Sequence, residues 1–202
     1  PLHFCDAAMP DRLLSGPETL TTGLAPQAGK GHHPVNAMVE PRPAEENVMV
    51  TLTRARDLVE DRKYEAAAAL YSQVLDADLS ASLRGEVLTN LGAALCLIAR
   101  SEGGVAALAQ LDEAQELLTS ALAYRSRREA PAAWAVTRAN LAIVHLARYE
   151  ATGKSEELLL AHLALDDTEL TLRQADESAL LDWVKAIRDQ LVDLRDRRRT
   201  KR

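Results

Sequence analysis

The sequence predicts an all-α protein built as an array of stacked helix pairs. Three alanines, Ala67, Ala114 and Ala161, recur 47 residues apart in similar surroundings, and a fixed period of this length is typical of helical repeat proteins. Hydrophobic residues make up 47% of the chain but aromatic residues only 3%, so the core must be built from Leu, Ala and Val. After Pro43 the chain contains one proline, Pro131, and is almost free of helix breakers. We expect about three antiparallel helix pairs followed by a C-terminal capping helix.

Residues 1–44 are expected to form a disordered tail, and residues 45–202 the folded domain. Seven of the eight prolines lie in the first 43 residues, together with four of the nine glycines, and this segment shows no sustained apolar period. It has no basic stretch followed by an apolar run, so it does not resemble a signal peptide. The chain begins without Met, and Met9, Met38 and Met49 are each candidates for a natural start.

The first helix pair is predicted from about Glu45 to Ala77. Apolar residues recur at helical spacing in its first helix, namely Val50, Ala55, Leu58 and Val59. The turn is expected at Arg62 and Lys63. The second helix then carries residues four and three apart, namely Ala67, Tyr71 and Val74.

The second pair is predicted from about Ser80 to Tyr124. The inner face of its first helix carries Leu88, Leu91, Gly92 and Leu95, and Gly103 with Gly104 ends that helix. Its second helix repeats the spacing of the first pair with Ala114, Leu118 and Ala121. We expect the small residues Gly92 and Ala114 to let the two helices approach closely, with larger neighbours filling the gaps.

The third pair is predicted to open at Pro131, a residue favoured in the first turn of a helix. Trp134 is expected to anchor neighbouring pairs, and Gly153 to end the first helix. Ser155 is expected to cap the second helix, which carries Ala161, Leu165 and Thr168.

The last helix is predicted over residues 176–199. Its apolar stripe consists of Leu180, Trp183, Ile187, Leu191 and Leu194. It has no partner helix after it, so we expect it to cover the open end of the stack and to present a solvated outer face.

These residues resemble the tetratricopeptide repeat family, in the form of the longer repeats of bacterial proteins. In that family the first helix carries Leu followed by Gly or Ala, as NLG at 90–92 and NLA at 140–142 do here. The second helix carries a small, a large and a small residue, as Ala114, Leu118 and Ala121 do. The resemblance covers roughly Glu45 to Gln174, although the period exceeds the usual ~34 residues. It implies an α-α superhelix.

The resemblance also implies a ligand-binding concave face formed by the first helices. The residues expected on it are Arg56, Glu86, Asn90, Ala93, Cys96, Asn140 and Ile143. This face is mainly apolar and small, which suits an amphipathic helix or an extended apolar peptide. Val136 and Ala139 stand where cations would be needed, so a C-terminal carboxylate is not the expected ligand. Asn90 and Asn140 either grip a peptide backbone or bond only to neighbouring helices.

Cys96 and His145 are the candidates for catalysis, because they lie at similar heights on adjacent first helices and could form a cysteine nucleophile. No third orienting group and no oxyanion-binding turn accompany them. We therefore expect Cys96 to pack as a small apolar residue, and the protein not to be an enzyme. No metal or cofactor is expected, since no structural zinc pattern is formed by His3, Cys5, His32 and His33.

The C-terminal end is strongly basic, while the rest of the chain is acidic. The basic residues are Arg195, Arg197, Arg198, Arg199, Lys201 and Arg202. The whole chain has a net charge of −6, and without its last eight residues the net charge is −11. The basic end either docks on an acidic partner or only complements the helix dipole and keeps the helix soluble. The acidic body makes nucleic acid an unlikely main ligand.

These features predict a cytoplasmic scaffold or adaptor that binds a segment of another protein in its groove. Two cysteines form no disulfide framework, which favours a reducing compartment. No run of about 18 apolar residues is present, so no membrane span is expected. The alternatives are a homodimer that exchanges or pairs its terminal helix, and a regulatory module that docks through its basic end.

Overall fold

The computed structural model describes residues 43–200, with side chains over residues 47–197. The predicted tail therefore lies outside the described residues, except that the first helix already begins at Pro43. The helices are α1 Pro43–Glu60, α2 Tyr64–Leu75, α3 Ala81–Glu102, α4 Leu108–Ala121, α5 Pro131–Thr152, α6 Ser155–Ala164, α7 Thr168–Gln174 and α8 Ser178–Thr200. A short 3-10 turn, Val105–Ala107, precedes α4.

The described residues form an all-α array in which consecutive helices pack antiparallel. Within this array α2 packs on α1 and α3, α4 packs on α3 and α5, and α5 also contacts α6, α7 and α8. The first helices of the predicted pairs are thus α1, α3 and α5, and the second helices are α2, α4 and α6. The buried apolar side chains form two clusters, one from α1 to α3 and the other from α3 to α8, and the partly buried Leu95 of α3 packs against both.

The 47-residue period is confirmed by burial. Ala67, Ala114 and Ala161 are all fully buried. The large residues four positions later are also fully buried, and the third positions of the pattern are buried in every pair, at Val74, Ala121 and Thr168. Each second helix therefore presents the same face to the core, although the turns between helices differ in length.

α3 and α4 approach each other closely at Gly92. A Cβ atom added there would lie 2.8 Å from Leu118 Cγ and 3.1 Å from the Ala114 carbonyl oxygen. No side chain fits this gap without movement of its neighbours, so the prediction of a close contact between Gly92 and Ala114 is confirmed.

The second helix of the third pair is broken, which corrects the single helix predicted through Thr168. Asp167 adopts a left-handed backbone with φ +64°, and this ends the helical run before α7 begins. Two carbonyl groups at the end of α6 accept hydrogen bonds from arginines of neighbouring helices, in addition to local ones from the Asp166 and Thr168 amides. Arg138 Nη2 donates to the Leu163 carbonyl, and Arg188 Nη2 donates to the Leu165 carbonyl at 3.0 Å.

The ends of the other helices follow the sequence prediction closely, with one exception. Ser80 Oγ accepts a hydrogen bond from the Leu83 amide at 3.3 Å and caps α3, and Gly153 ends α5 with φ +69°. Ser155, however, is the first residue of α6, and the cap position belongs to Lys154, which makes no side-chain capping bond. The prediction that Ser155 caps this helix is therefore wrong.

The terminal helix α8 covers the end of the array. Its predicted apolar stripe is entirely buried against α5, α6 and α7. Arg188 fixes its position further, since its Nε donates to Glu169 of α7. The stripe is thus covered within one chain.

The helix α3 is, among the described residues, long and apolar enough to cross a membrane by length and composition alone. This contrasts with the sequence expectation of no such span. Half of the apolar stretch is buried inside the protein, where α3 packs against α2, α4 and α5. Its position at the centre of the array accounts for its apolar character.

Candidate protein-binding face

The first helices α1 and α3 are joined by an ion pair between two of the predicted site residues. Arg56 Nη2 donates to Glu86 Oε1 at 2.5 Å, and the two side chains are 13% and 19% exposed. The pair thus lies at the surface of the array but is largely withdrawn from water. Asn90 follows Glu86 by one helical turn and is half-buried on the same face of α3.

Two donors beside this ion pair lack a partner among the described residues. They are Arg56 Nε and Asn90 Nδ2, both buried. A buried donor without an acceptor costs roughly 1–3 kcal/mol, and most such groups in proteins are paired. Because both atoms are covered by neighbouring side chains, an acceptor that approaches the face reaches them only after those side chains move.

Tyr71 lies beneath the same ion pair, in the core between α1, α2 and α3. Burial raises the pKa of its hydroxyl to about 12, an effect opposed by the charge of Arg56 and strengthened by that of Glu86. The hydroxyl is buried and makes no hydrogen bond within the part of the chain that the structure describes. Tyr71 is wholly inaccessible, so it supports the face from below without lining it.

The predicted residues of α3 divide into an outer and an inner set. Glu86 and Asn90 are half-buried on one stripe four residues apart, while Ala93 and Cys96 are buried. The stripe continues at Leu97, which is half-buried and which sequence reasoning missed. The spacing of four residues after Ala93 is the signal that could have identified it.

The predicted residues of α5 divide in the same way. Ile143 is half-buried and packs at the edge of the core. Asn140 is buried, and its Nδ2 donates to the Val136 carbonyl one turn earlier in α5 at 3.1 Å. Of the two interpretations left open for the asparagines, Asn140 therefore bonds within the fold, while Asn90 keeps an unpaired donor.

The far end of α3 carries a second charged contact with α5. Burial raises the pKa of the Glu150 carboxyl, and the positive charge of Arg100 opposes that shift. Burial also raises the pKa of the Cys96 thiol to about 12, while the charge of Arg100 has a smaller effect and lowers that pKa. The thiol keeps its proton at neutral pH, so Cys96 lacks the thiolate that a nucleophile needs.

His145 has a structural environment of its own. Its Nδ1 lies 2.8 Å from Glu157 Oε2, and Arg148 Nε donates to the other oxygen of Glu157 at 3.1 Å. Arg148 Nη1 also donates to Asp112, so the network links α4, α5 and α6. Burial would lower the pKa of the Arg148 guanidinium, but its hydrogen bonds with Asp112 and Glu157 raise it overall. The orienting group that the sequence did not reveal is therefore Glu157.

Trp134 is held between two guanidinium groups at the start of α5. Arg127 and Arg138 lie 5.5 and 5.6 Å from the centre of its ring, within cation–π range. Arg127 also pairs with Asp167 at 2.7 Å, which ties the loop before α5 to the break between α6 and α7. Trp134 thus packs at the edge of the core between the loop before α5 and α5 itself, and its predicted role as an anchor between neighbouring pairs stays a prediction.

The basic C-terminal end is only partly described. Arg195 donates to Asp196 at 3.2 Å, and Arg197 lies 3.9 Å from Asp193, all on the exposed side of α8. The remaining predicted residues, Arg198, Arg199, Lys201 and Arg202, lie outside the side chains that the structure describes. Over residues 47–197 no cluster of His, Cys, Asp and Glu has the geometry of a metal site.

Comparison of the chain with protein-family models, with curated proteins and with solved structures finds no match. The candidate face therefore has to be interpreted from its own residues.

Proposed function

We propose that this protein is an adaptor without enzymatic activity, which binds a segment of another protein on the face formed by α1, α3 and α5. In this proposal the helix pairs stack as a tetratricopeptide-like superhelix, and the three first helices line its concave side. The tandem antiparallel packing of the helices and the shared register of α2, α4 and α6 support this arrangement.

The observation that carries the proposal is the pair of unpaired donors at Arg56 Nε and Asn90 Nδ2. Both lie beside the ion pair between α1 and α3, on side chains that are partly open to the surface. Once the side chains that cover them move aside, carbonyl oxygens of an incoming peptide would accept from both donors and remove the cost of leaving them unpaired.

The partner segment also needs apolar side chains. Leu97 and Ile143 are half-buried on the neighbouring first helices. The expected partner is therefore an extended or helical segment that combines apolar side chains with accessible backbone carbonyls.

Affinity capture from the native host with matched variants tests this proposal. The double variant Asn90→Ala with Leu97→Ala removes one donor and one apolar contact from the face. Gln73→Ala with Ser72→Ala changes two exposed residues of α2 and serves as the control. We expect proteins captured by the wild type and the control to be lost with the first variant. If the captured proteins are the same for all three baits, this face is not the binding site.

A further inference from the structure

The outward face of α6 carries an exposed apolar patch, which we call the leucine patch. Leu159, Leu160 and Leu163 are 60%, 42% and 46% exposed. Their spacing of three and four residues places them side by side on the helix surface. A single exposed leucine is ordinary in a folded protein, but adjacent exposed leucines indicate a surface that another molecule covers.

The repeat itself shows that these positions face water. One period earlier the equivalent residues of α4 are Asp112, Glu113 and Glu116, and two periods earlier those of α2 are Glu65, Ala66 and Ala69. All six are exposed. The third pair therefore places three leucines where the other pairs carry acidic residues or alanine, although the packing of the helix against the core is unchanged.

The charges around the leucine patch restrict its occupant. Glu156 lies one turn before the patch and Asp166 lies at its other end, and both are exposed. Arg138 of α5 also reaches Leu163, but its guanidinium is engaged with the Leu163 carbonyl and the Trp134 ring. If α6 paired with α6 of a second copy in antiparallel orientation, Glu156 would face Asp166 of the other copy. In parallel orientation each acid would face its own counterpart. Like charges meet in both cases, which disfavours a second copy as the occupant.

The same two acids disfavour an anionic membrane surface, because it would repel them. A helix that carries Lys or Arg beside its apolar face would instead be attracted. We propose that the leucine patch is a docking site for the apolar face of an amphipathic helix of another protein, with basic residues flanking that face. This inference does not depend on the proposed face of α1, α3 and α5, since it concerns a different helix.

A model peptide tests the proposal directly. The probe is a fluorescent amphipathic Leu–Lys helix of about 18 residues, and its binding is measured by fluorescence anisotropy. A scrambled peptide of the same composition controls for simple charge attraction to an acidic protein. The test variant is Leu160→Ala with Leu163→Ala. It introduces the alanines that α2 carries at the equivalent positions, Ala66 and Ala69, and it leaves the net charge unchanged. Val105→Ala alters an exposed apolar residue elsewhere and serves as the matched control.

We expect the Leu–Lys peptide with the unscrambled sequence to bind the wild type and the Val105→Ala variant with similar affinity. We expect it to bind the variant Leu160→Ala with Leu163→Ala, called the leucine variant, at least about tenfold more weakly. We expect Glu156→Gln with Asp166→Asn to weaken binding as well, with a reduced dependence on salt. Circular dichroism should show that all variants remain folded.

Four results would overturn the proposal. The first is equal binding of the unscrambled Leu–Lys peptide to the wild type and the leucine variant. The second is equal affinity for a Leu–Glu peptide of the same pattern. The third is a wild-type dimer in sedimentation that the leucine variant dissociates, which would identify a second copy as the occupant. The fourth is binding to phosphatidylcholine vesicles that the leucine variant loses.

Discussion

Thr89 of α3 and Thr137 of α5 meet hydroxyl to hydroxyl in the core, with their Oγ1 atoms 3.0 Å apart. Each hydroxyl also lies within hydrogen-bond distance of a carbonyl one turn earlier, Gly85 at 2.8 Å for Thr89 and Ala133 at 2.9 Å for Thr137. Each hydroxyl has one proton, so only two of these three contacts can be hydrogen bonds at the same time. One threonine donates to the hydroxyl of the other, and that second threonine donates to the carbonyl of its own helix. This pair is a polar contact between two first helices at a buried position.

Thr137→Val is expected to lower the free energy of unfolding by about 1 kcal/mol, because it removes the shared hydrogen bond while Thr89 keeps the Gly85 carbonyl as acceptor. Urea unfolding followed by circular dichroism measures the change. The control is Thr119→Val, since Thr119 makes the same bond to its own helix but is exposed on α4. Equal effects of the two substitutions would show that the contact between Thr89 and Thr137 contributes nothing.

Ala114→Leu is expected to lower stability by about 1–3 kcal/mol, because Ala114 is fully buried where α4 lies against Gly92. The control is Ala109→Leu, which adds the same side chain to an exposed position of the same helix. Its effect should be close to zero. Coincident thermal melts of Ala114→Leu and the wild type would disprove the register of the second helices.

Glu157→Ala is expected to cost about 3 kcal/mol or more, because it leaves His145 and Arg148 without their shared acceptor at a buried site. Asp112→Ala removes the other partner of Arg148, but the Asp112 side chain is 61% exposed, so its loss should cost less than about 1 kcal/mol. Urea unfolding of both variants at the same pH and ionic strength makes the comparison. A larger cost for Asp112→Ala would contradict the assignment of Glu157 as the centre of the network.

Tyr71→Phe is expected to change how stability depends on pH. The Tyr71 hydroxyl has a pKa of about 12 in the folded protein and 10.0 in the unfolded chain, so between these values only the unfolded state releases the proton. Stability of the wild type is then lost as pH rises from about 10 to about 12, by roughly 2–3 kcal/mol more than in Tyr71→Phe.

Below about pH 9 the two proteins should be similar in stability, or the Phe variant slightly more stable, because the hydroxyl has no partner among the described residues. Cys96 also titrates in this range but is present in both proteins, so its effect cancels in the comparison. Unfolding curves measured from pH 8 to pH 12 test the prediction, and parallel pH profiles would contradict it.

Most of the helices could be predicted from the sequence because their signals are local. Gly103, Pro131 and Gly153 mark helix ends through backbone preferences that do not depend on the rest of the fold. The break before α7 has no such signal, since neither Gly nor Pro occurs there and Asp167 takes the left-handed conformation. Arg138 and Arg188 come from other helices and add hydrogen bonds to carbonyls at this break, and these contacts cannot be read from the local sequence.

The candidate face could be predicted only in part. Glu86 and Asn90 share one side of α3 because they are four residues apart, and the ion pair of Glu86 with Arg56 adds a residue of α1. Ala93, Cys96 and Asn140 were expected on the same face but are buried. A helix at the centre of the array packs against neighbours on several sides and therefore carries apolar residues on several sides. The spacing of its apolar residues does not show which side is exposed to solvent.

The sequence by itself determined the helical class, the number of pairs and the register of Ala67, Ala114 and Ala161, because periodicity and composition are properties of the chain alone. The tertiary structure decided which polar groups are satisfied and which surfaces remain open. Glu157 pairs with His145, Asn90 keeps an unpaired donor and Leu159 faces water, because each of these outcomes depends on where a neighbouring helix lies. Burial and hydrogen-bond pairing depend on packing between helices that are distant in the sequence. The spacing of apolar residues in one helix does not show which other helix packs against it.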